Sequence, residues 1–214
     1  MKKLIIEVFP NIHDRNLIAD MAAVVTVQTY PKGAVIKKNN TFFTFFYAIL
    51  GGSTMTILDA NADKSKGIYY IGKGEVSFTA LLFGLSGKCN DVKIVAEQET
   101  TLLTFPMAAV KDWTHKHRAW QEYVCENFHQ RTQQCLIDKD KSLEQKIDDY
   151  LHQKARRLAT SNLELTHQEI ANDLGTAREV ISRNLKKLEK KQKIQLSRNY
   201  IQLLKVENAF FAAA

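Results

Sequence analysis

At 214 residues, 45% of them hydrophobic and 25% charged, the chain is long enough for one large or two modest domains and can bury a core without disulfide or metal staples. The formal net charge of +7 is uneven: residues 139–205 hold 15 Lys or Arg against 9 Asp or Glu, whereas residues 1–138 hold 15 against 13, so the last third has the charge expected of a surface that meets phosphate. The longest apolar run, Phe42 to Leu50, is too short to span a bilayer and no N-terminal signal pattern is visible, which excludes a membrane protein and makes the cytoplasm the expected location.

In chain order, residues 1–20 read as a helical lead-in, with Leu17, Ile18 and Met21 as its apolar face. From Val24 the period changes to two. Val25, Val27 and Thr29 alternate with Thr26 and Gln28, Tyr30-Pro31-Lys32-Gly33 makes a turn, and Phe42 to Leu50 is a nearly continuous apolar strand broken by Gly51-Gly52. Thr54 to Leu58, Gly67 to Ile71, Asp91 to Glu97 and Thr101 to Phe105 are further strands. Short strands between Gly, Asn and Asp turns predict an antiparallel sandwich or roll over about residues 20–106.

After Pro106 the pattern becomes helical. Lys116 to Ile137 is predicted to be one long helix with Trp120, Val124, Phe128 and Cys135 on one stripe and Tyr123 and Leu136 beside it. So much apolar surface must be covered, either by the roll or by the same helix of a second copy. Lys139 to Lys141 is a charged hinge candidate. Leu143, Ile147, Leu151, Ala155 and Leu158 then mark another helix.

Residues 166–189 hold two helix starts ten residues apart. Thr166 with Glu169, and Thr176 with Glu179, have the spacing in which a hydroxyl and a carboxylate cap one first turn reciprocally. Leu174-Gly175 supplies the sharp turn between them. Ile170, Ala171 and Leu174 line one helix face, and Val180, Ile181, Leu185 and Leu188 line the other, so the segment predicts a helix-turn-helix. Arg178, Glu179, Ser182, Arg183, Lys186 and Lys187 remain on the outer face of the second helix. The bland alternative is a solvated charged face on two packed helices. Ile194, Leu196, Ile201 and Leu203 then alternate around Ser197-Arg198-Asn199, a β-hairpin that makes a wing.

This order of parts resembles the bacterial Crp/Fnr transcription regulators, the cyclic-AMP receptor protein family. The resemblance is sharpest in LTHQEIANDLGTAREVISRNLKKLE, where Arg178, Glu179 and Arg183 stand at the family's recognition-helix positions. It is looser in YPKGAVI, FYAILGGSTMTIL and YYIGKGE. It implies an α+β chain with an N-terminal antiparallel β-roll of cyclic-nucleotide-binding, jelly-roll type and a long dimerisation helix at about 112–138, together forming a domain over 1–138. A winged helix-turn-helix domain over 139–214 follows, with its recognition helix at about 177–190. A homodimer on an inverted-repeat site in double-stranded DNA is then expected, with RNA polymerase as a further partner. Trp120, Val124, Phe128 and Cys135 are the expected dimer interface. Arg178, Glu179, Ser182 and Arg183 are expected to read bases. Thr166, Thr176, Lys186, Lys187 and Arg198 are expected to touch phosphate, and Lys190, Lys191 and Lys193 to touch phosphate or water.

The sensor half departs from the family. Its cyclic-nucleotide cassette has Gly-Glu-Leu and, about ten residues later, Arg-Ser or Arg-Thr. Here one register puts Phe78-Thr79 and Cys89-Asn90 at those places, and the other puts Gly74-Glu75-Val76 and Leu85-Ser86 there. Neither has the arginine. Lys88 lacks the planar fork and Phe78 would crowd a ligand, so cyclic AMP is not the expected effector, and the effector is unknown. Cys89, Cys125 and Cys135 form no CxxC pair, cannot supply four thiolates for an iron–sulfur cluster, and by default are reduced and mostly buried. Cys125 and His129, at i and i+4, lack visible further ligands, so neither metal nor cofactor is expected. A cupin-like metal enzyme is the alternative of another class. It is disfavoured because His13, His115, His117, His129, His152 and His167 all lie outside residues 20–106. A nonspecific DNA-binding protein is the milder alternative.

Overall fold

A computed structural model describes residues 1–58, 68–88, 91–198 and 200–204. The chain divides into two compact units, the first running to Gln134 and the second from Cys135.

The first unit opens with helices α1 (Lys2–Val8) and α2 (Arg15–Val24) rather than one lead-in helix. Asp14 accepts from the amides of Asn16 and Leu17 at 2.8 and 3.2 Å and starts α2, burying Leu17 and Met21. Among the described residues seven strands follow: β1 (Thr26–Tyr30), β2 (Val35–Lys37), β3 (Phe45–Gly51), β4 (Ser53–Leu58), β5 (Ile68–Gly72), β6 (Val92–Ala96) and β7 (Thr100–Pro106). They form two sheets, ordered β1-β7-β3 and β2-β6-β4-β5, the predicted antiparallel roll. Gly52, at φ +80°, turns β3 into β4, and a Cβ there would collide with the Glu99 carbonyl. At the sheet edge β1 is largely exposed, Val27 by 44%, so its alternation does not mark a buried face. The family-like segment after β5 contains an unpredicted helix, α3 (Phe78–Ser86), capped by Ser77 and closed by the left-handed Gly87.

β3 is apolar along its length because both of its faces are covered. Tyr47 and Ile49 are buried, as are Phe46 and Ala48 between them. The Phe46 ring lies 5.7 Å from Trp120, which lies 5.5 Å from both Trp113 and Tyr123. Those residues come from α4 (Met107–Lys116) and α5 (Arg118–Asp140). The expected long helix from about residue 112 is therefore broken at His117, whose backbone turns extended (φ −116°, ψ 111°) while its ring meets the Asp20 carboxylate at 2.8 Å. Trp120, expected at a dimer interface, is fully buried inside its own unit, and that expectation is corrected. Val124 also packs on this core. The Cys135 side chain lies outside the described ones, and Cys125 is exposed rather than buried.

The second unit comprises α6 (Leu143–Leu158), β8 (Asn162–Glu164), α7 (His167–Asp173), α8 (Arg178–Lys190), β9 (Ile194–Ser197) and β10 (Tyr200–Leu203). Ser142 and Gln145 cap α6 reciprocally. Ile147, Leu151 and Ala155 of α6 meet Ile170, Ile181, Leu185 and Leu188 in one buried core. The predicted wing hairpin gains a third strand, in the order β8-β10-β9.

Because Trp120 fills the centre of an aromatic cluster, Trp120→Ala is expected to cost about 3–5 kcal/mol of stability, read from the denaturant midpoint of the first unit's unfolding.

Candidate nucleic-acid interface

Thr166 begins α7 as predicted. The Glu169 amide donates to its hydroxyl at 3.1 Å, and its own amide donates to the Glu169 carboxylate at 2.7 Å. That amide is the main reason the Glu169 carboxyl is held below its usual range. The Thr166 hydroxyl also donates to the same carboxylate at 2.8 Å, so its proton is engaged within the cap rather than offered to a phosphate.

The other end of α7 closes on Gly175, at φ +62°. The Thr176 amide donates to the Ala171 carbonyl at 2.9 Å and the Gly175 amide to that of Asn172 at 3.3 Å, the paired bonds of a Schellman turn. Thr176 is thereby used to finish α7. Helix α8 starts from Ala177 with no side-chain cap, which corrects the predicted Thr176–Glu179 capping box. Glu179 is left in the first turn of α8, exposed and suited to the positive end of the helix.

Arg178, Glu179, Arg183, Lys186 and Lys187 are all exposed on α8 while Ile181, Leu185 and Leu188 are fully buried. Ser182 is placed differently from the expectation. Half-buried, it donates its proton to the Arg178 carbonyl at 3.0 Å and meets His167 Nδ1 at 2.8 Å. With the hydroxyl proton committed, the imidazole is the donor, which assigns the His167 proton to Nδ1. Ser182 thus ties α7 to α8. Burial, and then the nearby charges of Arg178 and Lys186, hold the His167 pKa below its ordinary value.

Two of the lysines expected to touch phosphate or water are exposed and pair across the surface with carboxylates of α6. Lys191 pairs with Glu144, and Lys193 donates to Asp148 at 2.6 Å. The Lys191 ammonium accordingly holds the Glu144 carboxyl low. Arg198 is exposed at the wing turn, and Asn199 lies outside the described residues. Leu196 donates its amide to Glu189 of α8 at 2.9 Å, and Tyr200 donates to Glu164 of β8 at 2.8 Å, which fixes the wing. Between α7, Arg178 and the wing lies a cavity of about 360 Å³ lined in part by His167, Gln168, Ser197 and Tyr200. His167 was missed in the sequence because its partner Ser182 lies 15 residues away.

The comparisons with known proteins bear on this geometry. Residues 145–208 match the Crp-like helix-turn-helix domain. Those residues therefore form a Crp-like helix-turn-helix domain. A protein assigned to the Crp/Fnr family from Eubacterium rectale has the same fold with a TM-score of 0.72 at 22% identity, over 96% of this chain and 98% of that one. CLP of Xanthomonas campestris, described as a c-di-GMP responsive global regulator, gives 0.64 at 17% identity over 90% and 100% of the two chains. FixK2 of Bradyrhizobium japonicum gives 0.63 at 18% over 85% and 93%. No curated protein matches the sequence.

Where the Crp/Fnr cassette would lie, Gly74 makes a left-handed turn at φ +82° and Glu75 accepts from the Gly72 amide at 2.7 Å. Leu85 and Ser86 end α3, Phe78 packs edge-on against Phe128 at 4.4 Å, and Cys89 and Asn90 lie outside the described residues. No arginine occurs anywhere between Arg15 and Arg118. Among the described residues no group of three or more His, Cys, Asp or Glu is placed to hold a metal, and no helix is long and apolar enough to cross a membrane.

Since Thr166 caps a helix and Thr176 does not, Thr166→Ala is expected to cost about 0.5–2 kcal/mol, and Thr176→Ala less than about 0.5 kcal/mol, in paired urea titrations. His167 has a lowered pKa, so its neutral form stabilises the fold fully above the unfolded value of about 6.5, and that contribution is lost as pH falls through the folded value. His167→Gln should therefore flatten the loss of stability between pH about 7.5 and 5.5, measured by urea midpoints at the two ends.

Proposed function

We propose that the chain acts as a homodimer that reads an inverted repeat in double-stranded DNA, with Arg178, Glu179 and Arg183 of α8 at the base edges. The observation that carries this reading is the exposure of all three side chains on the first two turns of α8, while Ile181, Leu185 and Leu188 of the same helix are buried. Arg178 and Arg183 can each give a guanine two parallel hydrogen bonds at O6 and N7, and Glu179, free of any capping role, can accept from cytosine N4. Ser182 is set aside as a base reader because its proton is spent within the motif. Lys186, Lys187 and Arg198 supply phosphate contacts that add salt-dependent affinity without sequence information. Thr176 can add one more.

Dimerisation is assigned to the exposed face of α5. Phe128 is 39% and Leu136 56% exposed, with Cys125 exposed beside them. The spacing of 125, 128 and 136 keeps them on neighbouring rows of one helix face, as a seam between two copies needs. An effector other than cyclic AMP is favoured, since an arginine-free roll has no forked cation to clasp a cyclic phosphate. Action in the cytoplasm together with RNA polymerase completes the proposal.

Selection of genomic fragments by the purified protein is expected to return inverted repeats with half-site centres about one helical turn, roughly 34–36 Å, apart. Recovery of single half-sites would argue against the dimer. On the selected site Arg183→Ala should cost about 1–3 kcal/mol and relax preference at one base pair. Equal losses on selected and random DNA would instead indicate nonspecific binding.

A further inference from the structure

On the first unit, a cavity of about 220 Å³ opens where β2, the segment after it and β3 meet. Its described wall is largely hydrocarbon and rich in rings. Phe42 and Phe43 of the connecting segment and Phe45 and Tyr47 of β3 line it together with Ile36 and Ile94. Tyr47 and Ile94 are fully buried, whereas Phe42 is 59% exposed, an aromatic ring left in water. None of the described lining residues lies between Gly72 and Lys88, the stretch that corresponds to most of the family's cassette.

The polar groups of that wall are already engaged. The Lys37 ammonium donates to the carbonyls of Val92 at 2.9 Å and Lys38 at 3.0 Å and sits 4.6 Å from the centre of the Phe43 ring. The Thr41 hydroxyl donates to the same Lys38 carbonyl at 2.6 Å, and the Thr44 carbonyl accepts from the Met107 amide at 2.9 Å. Lys38 itself is exposed, and an ion pair with a hydrated ammonium gains little. An anion entering here would lose hydration that the committed Lys37 does not replace. An uncharged apolar occupant escapes that cost and covers the ring of Phe42 as well.

Size narrows the class. An apolar cavity of roughly 150 Å³ accepts benzene, while sites for drug-sized ligands run to roughly 300–1,000 Å³. The space here fits one ring with a short substituent. Rings in the wall favour a ring in return, because offset or edge-to-face pairs gain more than their buried area alone. The wall already packs in this way, with Phe43 stacked on Phe83 at 6.3 Å and Phe45 tilted against Tyr47 at 6.1 Å. We propose that this cavity binds a neutral monocyclic aromatic compound, with the ring among Phe42, Phe45 and Ile94 and any hydroxyl turned toward the exposed Thr44. The site is independent of how α8 reads DNA.

Calorimetry of the full chain with benzyl alcohol, phenol and toluene tests the assignment. Saturable binding of at least one of them at one ligand per chain is expected, with nuclear Overhauser contacts from the ligand ring to the methyl groups of Ile36 and Ile94. Benzoate, which keeps the ring and adds a charge, should bind roughly tenfold more weakly or less. Cyclohexylmethanol, which keeps the size of benzyl alcohol without its π-face, should bind roughly threefold more weakly than benzyl alcohol. Phe42→Ala should weaken the aromatic ligand by roughly threefold to tenfold. The melting temperature of the unliganded variant should be unchanged, because that ring is mostly in water. No saturable binding at millimolar ligand, equal binding of benzoate or cyclohexylmethanol, full affinity in Phe42→Ala, or ring contacts to methyl groups elsewhere in place of Ile36 and Ile94 would each overturn the proposal.

Discussion

The hydrogen bond from the Thr176 amide to the Ala171 carbonyl is the constraint on which the C-terminal unit turns. It can form only because Gly175 adopts a left-handed backbone that a residue with a Cβ enters at a cost of about 1 kcal/mol or more. That single closure ends α7, delays the start of α8 to Arg178, and sets which side chains of α8 point inward. A start one residue earlier or later would rotate the helix by about 100°. Ile181, Leu185 and Leu188 would then leave the core, and Arg178 and Arg183 would leave the open face. Packing and presentation are two outcomes of one turn.

The excess positive charge is divided by the same unit into two populations. Lys191 and Lys193, at and beyond the end of α8, are held by Glu144 and Asp148 of α6, where they join elements and add little field outward. The first three turns of α8 keep Arg178, Arg183, Lys186 and Lys187 exposed. A net basic count over the last third therefore overstates the charge available to a ligand, while the arrangement concentrates what remains on one helix. Exposed ion pairs contribute little to stability individually. Their effect here is mainly on where charge is absent.

Local signals in the chain were legible and relational ones were not. The Thr166–Glu169 capping box, the apolar stripe of α6 and the alternation of the wing each depend on neighbours within a few residues, and all appear in the structure. Thr176–Glu179 has the same spelling as Thr166–Glu169 yet makes no cap, because the preceding turn had already taken the Thr176 amide. Periodicity marked Trp120 as apolar and covered but could not say by what; Phe46 and Trp113 cover it. The helix α3 was hidden because Phe78 to Leu85 is nearly all apolar and carries little period to distinguish helix from strand. At the candidate interface Arg178, Glu179 and Arg183 could be named from helical spacing, whereas the inward turn of Ser182 depends on a histidine in another helix.

The bond between the Leu196 amide and the Glu189 carboxylate gives the wing a definite relation to the helix it follows. The strand that carries the wing outward is tied by its backbone to the last turns of α8, and the Tyr200 hydroxyl ties its partner strand to β8. The strands on either side of the Arg198 turn are thus each tied to another element of the unit, one to α8 and one to β8. On the proposed reading, a duplex that meets α8 meets a wing whose strands are already ordered by these bonds, so part of the ordering entropy is spent during folding rather than on association.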